Sequence, residues 1–318
     1  EAGHAEAIQQ LVRARADVCR VRQDGATPVF LATLEDHTDA LRALVSAGAD
    51  VNRAASDGAT PLHMAAMENS KEAVRLLVAG RASVDQAAVG GRTPLFTAAQ
   101  VNNTEAMQEL ITAGADLNRG DKNHDTPVYV AAKNCSSEAL RQLVLARADI
   151  DGANSSGASA VFVAARNMNS SLMRQLLLAR ASANRASSSG ATPLLLAAQH
   201  GCVDIIRQLV SARAEVNRGL RDGLTPLLAA ARRDHAGAVR ALAAAGADVH
   251  LADRLGASPL LAAAAANSPG AVRELLLCRA DADQANRNGA TPVFAAARAD
   301  GADALWQLIA ARADVDRT

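Results

Sequence analysis

Few residues of this 318-residue chain stand where chemistry could begin. The seven histidines (His4, His37, His63, His124, His200, His235 and His250) include no i,i+4 pair and no cysteine neighbour at ligand spacing. Zinc needs three or four such groups around one point, so no metal site is expected. The four cysteines, Cys19, Cys135, Cys202 and Cys278, are separated by 116, 67 and 76 residues. No Cys-x-x-Cys exists, and reduced, buried thiols are expected, as in a reducing compartment. No Gly-x-Gly-x-x-Gly or Gly-Lys-Ser/Thr loop is present to cradle a phosphate. No serine sits in a Gly-x-Ser-x-Gly elbow. Asn-x-Ser/Thr triplets at Asn102, Asn134, Asn154 and Asn169 are no more than a Ser/Asn-rich chain produces by chance. Neither a catalytic residue nor a cofactor is expected, and no stretch is left over for a separate enzyme domain.

The composition then says what the chain can build. Thirty-three basic residues balance 33 acidic ones, for a net charge of zero. Nucleic-acid and membrane surfaces usually call for net basic charge, so neither is an expected partner. No apolar run approaches the ~18 residues of a membrane span, and the first residues do not resemble a signal peptide. Alanine supplies 76 residues while aromatics make up 2%. Any core is therefore thin, made of closely spaced helices.

The order lies in a repeat. Thr-Pro recurs at Thr27, Thr60, Thr93, Thr126, Thr192, Thr225 and Thr291, with Ser258-Pro259 and Ser159-Ala160 filling the gaps, always 33 residues apart. Nine full units run from residue 21 to 317, and residues 1–20 are the last part of another. The Thr or Ser hydroxyl suits a helix N-cap, and proline suits the first helical position. Ala32, Ala65, Ala98, Ala131, Ala164, Ala197, Ala230, Ala263 and Ala296 let a second helix approach. That second helix carries a constant leucine, from Leu11 to Leu308. Glycine two residues before the cap, as at Gly25 and Gly58, allows the positive φ of a hairpin-like loop.

The run Asp57-Gly-Ala-Thr-Pro-Leu-His-Met-Ala-Ala66, with Leu76-Leu77 and Gly48-Ala-Asp-Val-Asn52, resembles the ankyrin repeat over the whole chain. The resemblance implies an all-α repeat solenoid, 1–318 as a single array, with β-hairpin fingers projecting from a curved stack of helix pairs. It implies protein–protein recognition through the finger tips and first helices of the concave face, and no catalysis. The alternative is a passive spacer between flanking domains. A third idea is that the arginine-rich half binds an acidic polymer. The start in mid-repeat and the lack of a polar terminal cap suggest a fragment of a longer chain.

Departures from the family pattern raise further expectations. Its histidine after Thr-Pro-Leu survives only at His63; Phe30, Phe96, Tyr129, Phe162, Phe294 or a leucine replace it elsewhere and should fill the core. The glycine that ends the second helix is kept at Gly48, Gly114 and Gly246, but is Arg15, Arg81, Arg147, Arg180, Arg213, Arg279 or Arg312 in the other copies. A left-handed conformation there would strain each arginine by about 1 kcal/mol. Acids two residues on, such as Asp149 and Glu215, could partly neutralise this row. Asp39–Arg42, Glu72–Arg75, Glu138–Arg141 and Asp204–Arg207 are spaced for i,i+3 pairs on an outer face. Trp306 stands in the place of those arginines in the last repeat, either capping the array or meeting another domain.

Finger-tip and first-helix positions carry the candidate partner-binding residues. The first two full repeats offer Asp24, Glu35, Asp57 and Glu68. The middle offers Lys122, His124, Asp125, Lys133 and Arg166, with Lys122-Asn123-His124-Asp125 breaking the usual glycine tip. The last three offer Arg221, Arg232, Arg233, Arg254, Arg287 and Arg298 against one acid, Asp222. A partner protein, as an extended segment with its acidic end over residues 221–298, would match this polarity. The chain is expected to be a monomer inside the cell, in cytoplasm or nucleus.

Overall fold

The computed structural model describes residues 2–14 and 16–317, and the backbone alone for residues 2–5; Arg15 lies outside the described residues. Among the described residues there are nineteen helices and no strand. The Cα traces cluster into two compact units, residues 1–155 and 156–318. No helix is long and apolar enough to cross a membrane.

Each repeat begins as its sequence requires. The Thr27, Thr93, Thr126, Ser159, Thr192, Thr225, Ser258 and Thr291 hydroxyls accept the amide three residues on. A first helix of six to eight residues follows, for example Pro94–Val101 in unit 1 and Pro226–Ala231 in unit 2. A tight turn leads to a second helix of nine residues, such as Thr104–Thr112 and Ala236–Ala244. Within each unit first helices pack on first helices and second on second. Paired alanines line the first contact: Ala65, Ala66, Ala98 and Ala99 are fully buried. The constant leucines fill the space between the layers, Leu77, Leu110, Leu176 and Leu242 with no exposed surface. Truncating one such leucine to alanine would cost ~2–5 kcal/mol. Leu11, in the second helix that residues 1–20 supply, is 56% exposed.

Two further rows of hydrogen bonds stitch neighbouring repeats. The residue that ends the first helix turn is left-handed in every full repeat, from Asp36 to Asp300. Where it is Asx its side chain can cap the next repeat's second helix: Asn69 Oδ1 accepts the Glu105 and Ala106 amides (3.0 and 3.1 Å), Asn102 that of Ala139 (2.9 Å) and Asp234 that of Ala271 (2.7 Å). The Asx after the second helix does the same one loop away, Asn118 Oδ1 accepting the Asp149 amide and Asn184 Oδ1 that of Glu215.

The helix-ending arginines are left-handed as the glycine register demands. Arg81, Arg147, Arg180, Arg213, Arg279 and Arg312 have φ of 66, 65, 67, 62, 62 and 65°. No ion pair reaches them among the described residues. The acids two positions on serve the loop instead: Asp149, Asp281 and Asp314 each accept the amide two residues later, and Glu215 pairs with Arg218.

The outer charges pair differently from their spacing. Of the four i,i+3 pairs expected, Glu138–Arg141 alone closes among the described residues. Arg42 reaches Glu72 (2.6 Å) and Arg75 reaches Glu109 (3.0 Å) in the following repeat, and Arg240 does the same with Glu274 (2.7 Å). The thiols also depart from expectation. None of the four is in a disulfide, yet Cys19 and Cys135 are exposed and Cys202 and Cys278 only half-buried. Cys135 sits in the turn between helices, a surface position whatever its side chain.

Candidate functional site

The finger is a four-residue turn closed by its own backbone. In the second full repeat the Ala55 amide donates to the Ala59 carbonyl and that of Gly58 to Ala55 (both 2.9 Å). The tip glycines hold φ from 74° at Gly157 to 89° at Gly223, and His124 takes their place at 59°. Main-chain bonds tie neighbouring tips: Ser56 to Asp24, Val89 to Asp57 and Lys122 to Gly90 in unit 1, Ser188 to Ser156 and Arg254 to Asp222 in unit 2. The expected hairpins are thus turns rather than strands. They hold a constant backbone while their side chains vary.

All the candidate residues are exposed except Asp125. In unit 1, Asp24 pairs with Arg22 (3.3 Å). Asp57 turns its carboxylate to the Ala59 amide, as Asp24 does to Ala26. Lys122, Asp125 and Lys133 come together in one cleft of about 420 Å³, with Arg92, Phe96 and Asp121. Asp125 is 7% exposed there. Its carboxylate accepts from Asn154 Nδ2 (2.9 Å) and lies 3.7 Å from Lys133 Nζ. Asp125 therefore builds the cleft wall rather than offering a free charge, and His124 stands exposed at the tip.

In unit 2, Arg166, Arg221, Arg254, Arg287 and Arg298 are exposed and make no ion pair among the described residues. Arg232 lies 3.8 Å from Asp253, an acid whose role was not legible in the tip pattern, and Arg233 donates to the Gln199 carbonyl (3.3 Å). The equivalent of the unit 1 cleft recurs at Leu261, Asn286, Ala290, Phe294 and Arg298, with a volume of about 340 Å³. Asn286 and Ala290 replace its acids Asp121 and Asp125, so its lining is leucine, phenylalanine and alanine with one amide and a single guanidinium at the edge. Sequence reading missed both clefts, although the swap of Asp125 for Ala290 in one register was there to be compared.

The ring row is mostly core. Phe30, Phe96 and Tyr129 are buried, Phe162 is half-buried, and Phe294 is 43% exposed. His63 is buried as well. Its Nδ1 accepts the Thr60 amide (3.1 Å) and its Nε2 lies 2.9 Å from the Arg92 carbonyl, which puts the proton on Nε2. Burial lowers its pKa below the usual histidine value. His63 is thus a structural cap. Among the described residues no three His, Cys, Asp or Glu side chains meet as a metal would need.

A profile of ankyrin repeats (three copies) matches residues 1–88, 81–154, 138–219, 161–253 and 230–318. The crystal structure of an ankyrin repeat domain from Acinetobacter baumannii AYE is similar, with 31% identity and a TM-score of 0.57, over 59% of this chain and 98% of that one. No match was found among curated proteins. Repeats of this kind are generally protein–protein interaction modules and typically non-enzymatic. From its 33-residue register to its left-handed helix ends, the chain belongs to the ankyrin-repeat family.

Proposed function

We propose that the chain is a protein-interaction module that engages its partner through finger tips and first helices and performs no catalysis of its own. One observation carries this reading: the tip arginines Arg221, Arg254 and Arg287 recur in one register of unit 2, exposed and with no ion pair among the described residues. Unpaired cations on a rigid backbone are available to a ligand and cost little to present. The 33-residue register continues through residue 155 without insertion, which supports taking residues 1–318 as one array. The reading includes a monomer in a reducing, intracellular setting, in keeping with four cysteines outside any disulfide.

Photo-crosslinking tests it. A crosslinker at Arg254 should capture the partner, and one at Arg174 on an outer helix should not. Reversing Arg232, Arg233 and Arg254 to Glu should slow association and flatten its salt dependence. Capture from Arg174 with indifference to the reversal would move the site to the outer helices.

A further inference from the structure

Arg221, Arg254 and Arg287 occupy one finger position in three successive repeats of unit 2. Main-chain bonds fix the tips side by side, Arg254 N–H donating to the Asp222 carbonyl (2.9 Å) and Arg287 N–H to that of Leu255 (3.2 Å). Packed helices lie ~10 Å apart, and so do successive repeats. An extended chain in the polyproline II conformation advances ~3.1 Å per residue and turns once every three, so every third side chain faces the same way. Three residues of an extended partner therefore span one repeat.

We propose that this row reads an extended acidic peptide whose carboxylates recur at every third residue, one to each finger. The periodicity comes from the ratio of two backbone spacings and does not depend on the arginine rotamers. Beside the last finger lies the cleft of about 340 Å³ lined by Leu261, Ala290 and Phe294, with Asn286 and Arg298 at its edge. Ala290 leaves open the space that Asp125 takes in unit 1. One large apolar side chain of the peptide fills this cleft, and the carboxylate next to it falls to Arg298. Charge complementarity selects the acidic peptide; the cleft sets which end of it lies at the last repeat. The proposal rests on the interaction face proposed above and adds to it a partner sequence pattern.

Fluorescence anisotropy with the full chain and labelled synthetic peptides tests it. Three peptides have one composition of glutamate, serine and a single leucine, with glutamates at every second, third or fourth position. The every-third peptide should bind about tenfold more tightly than the others at low salt, and Arg254→Glu should weaken it about tenfold. Ala290→Asp, which copies a side chain the chain already carries in unit 1, should remove the advantage of the leucine peptide over its leucine-to-serine version. It should leave the serine version unchanged. Binding that is lost on charge reversal but indifferent to spacing keeps the interaction face and overturns the register. Binding indifferent to both overturns the two together. A DNA duplex that binds as tightly as the best peptide overturns the choice of partner.

Discussion

Replacing Arg180, Arg213 and Arg279 by glycine should stabilise unit 2. These residues hold φ of 67, 62 and 62°. Their side chains are exposed and reach no ion pair among the described residues. Glycine fills the same register at Gly246, where an added Cβ would meet nothing within 4 Å. The arginine Cβ therefore collides with no neighbour, and the penalty is the left-handed backbone itself, ~1–2 kcal/mol per residue. Glycine gives back ~0.5–1 kcal/mol through its freer unfolded chain. The net gain is about 0.5–1 kcal/mol a site and about 2 kcal/mol for three sites that share no partner. A domain the size of residues 156–318 has an unfolding entropy of about 0.3 kcal/mol/K, so its midpoint should rise by about 6 °C. Thermal unfolding followed by circular dichroism measures this. Arg→Ala at the same sites keeps the strain and removes the guanidinium, and should gain nothing. If the alanine triple gains as much as the glycine triple, charge repulsion rather than backbone strain is responsible. If the glycine triple is less stable than wild type, the side chains hold the fold and the strain account fails.

Three smaller predictions follow from the caps and buried charges. Met168 is left-handed (φ 54°) and 55% exposed, and Cys202 at the start of the next second helix has no side-chain cap bond, so Met168→Asn should add ~1 kcal/mol in urea denaturation by relieving strain and capping that helix. Burial lowers the His63 pKa from 6.5, so the unfolded chain binds the extra proton first and stability falls as pH drops below about 6.5; His63→Leu should flatten that slope between pH 7 and 5, measured as midpoint against pH. Arg240 holds the Glu274 carboxyl below its ordinary 4.5, so this pair stabilises at neutral pH and fades as pH falls through that range; the deficit of Glu274→Gln relative to wild type should shrink toward pH 3.

Much of the fold was legible because each repeat position answers one physical demand. Thr60 or Thr225 must offer an oxygen at a helix start, Ala65 must be small, Leu77 must fill a gap, and these demands recur every 33 residues. The left-handed arginines were legible in the same way, from glycines in the same register. The pairing of outer charges was not. Arg42 stands three residues from Asp39 and one repeat from Glu72, and only distance decides for Glu72. The turn row was overlooked although Asp36, Asn69, Asn102, Asp234, Asn267 and Asp300 spell it out, since Cys135, Met168 and Gly201 interrupt the pattern. The clefts were hidden because they depend on which way a finger side chain turns. Asp125 turns inward to Asn154, and no spacing rule requires that.

Every non-glycine residue with positive φ among the described residues falls at one of three repeat positions: the turn between helices, the end of the second helix, or the finger tip at His124. These positions differ in how freely they shed glycine, and steric room explains the difference. At the helix ends Gly48, Gly114 and Gly246 face open space, and most copies have changed to arginine. At the tips an added Cβ would lie 2.8 Å from the Val89 amide nitrogen for Gly58, 2.7 Å from that of Ser188 for Gly157 and 2.8 Å from the Asp253 Cα for Gly223. Those atoms are the neighbouring finger's backbone, whereas Gly190 meets only the Leu220 Cδ2 at 3.8 Å. The non-glycine tip, His124, carries a Cβ and still keeps the bond between fingers, Ser155 N–H donating to the Asn123 carbonyl (2.8 Å). Two substitutions in unit 2 separate strain from collision. Gly246→Ala adds only the left-handed penalty and should cost about 1 kcal/mol. Gly223→Ala adds the same penalty and also drives a Cβ to 2.8 Å from the Asp253 Cα, so the next finger must shift, and it should cost at least about 2 kcal/mol. Urea midpoints of the two variants decide the matter. Equal costs would mean that the fingers move apart without penalty, and the tip backbone could then no longer be treated as a fixed ruler for a partner.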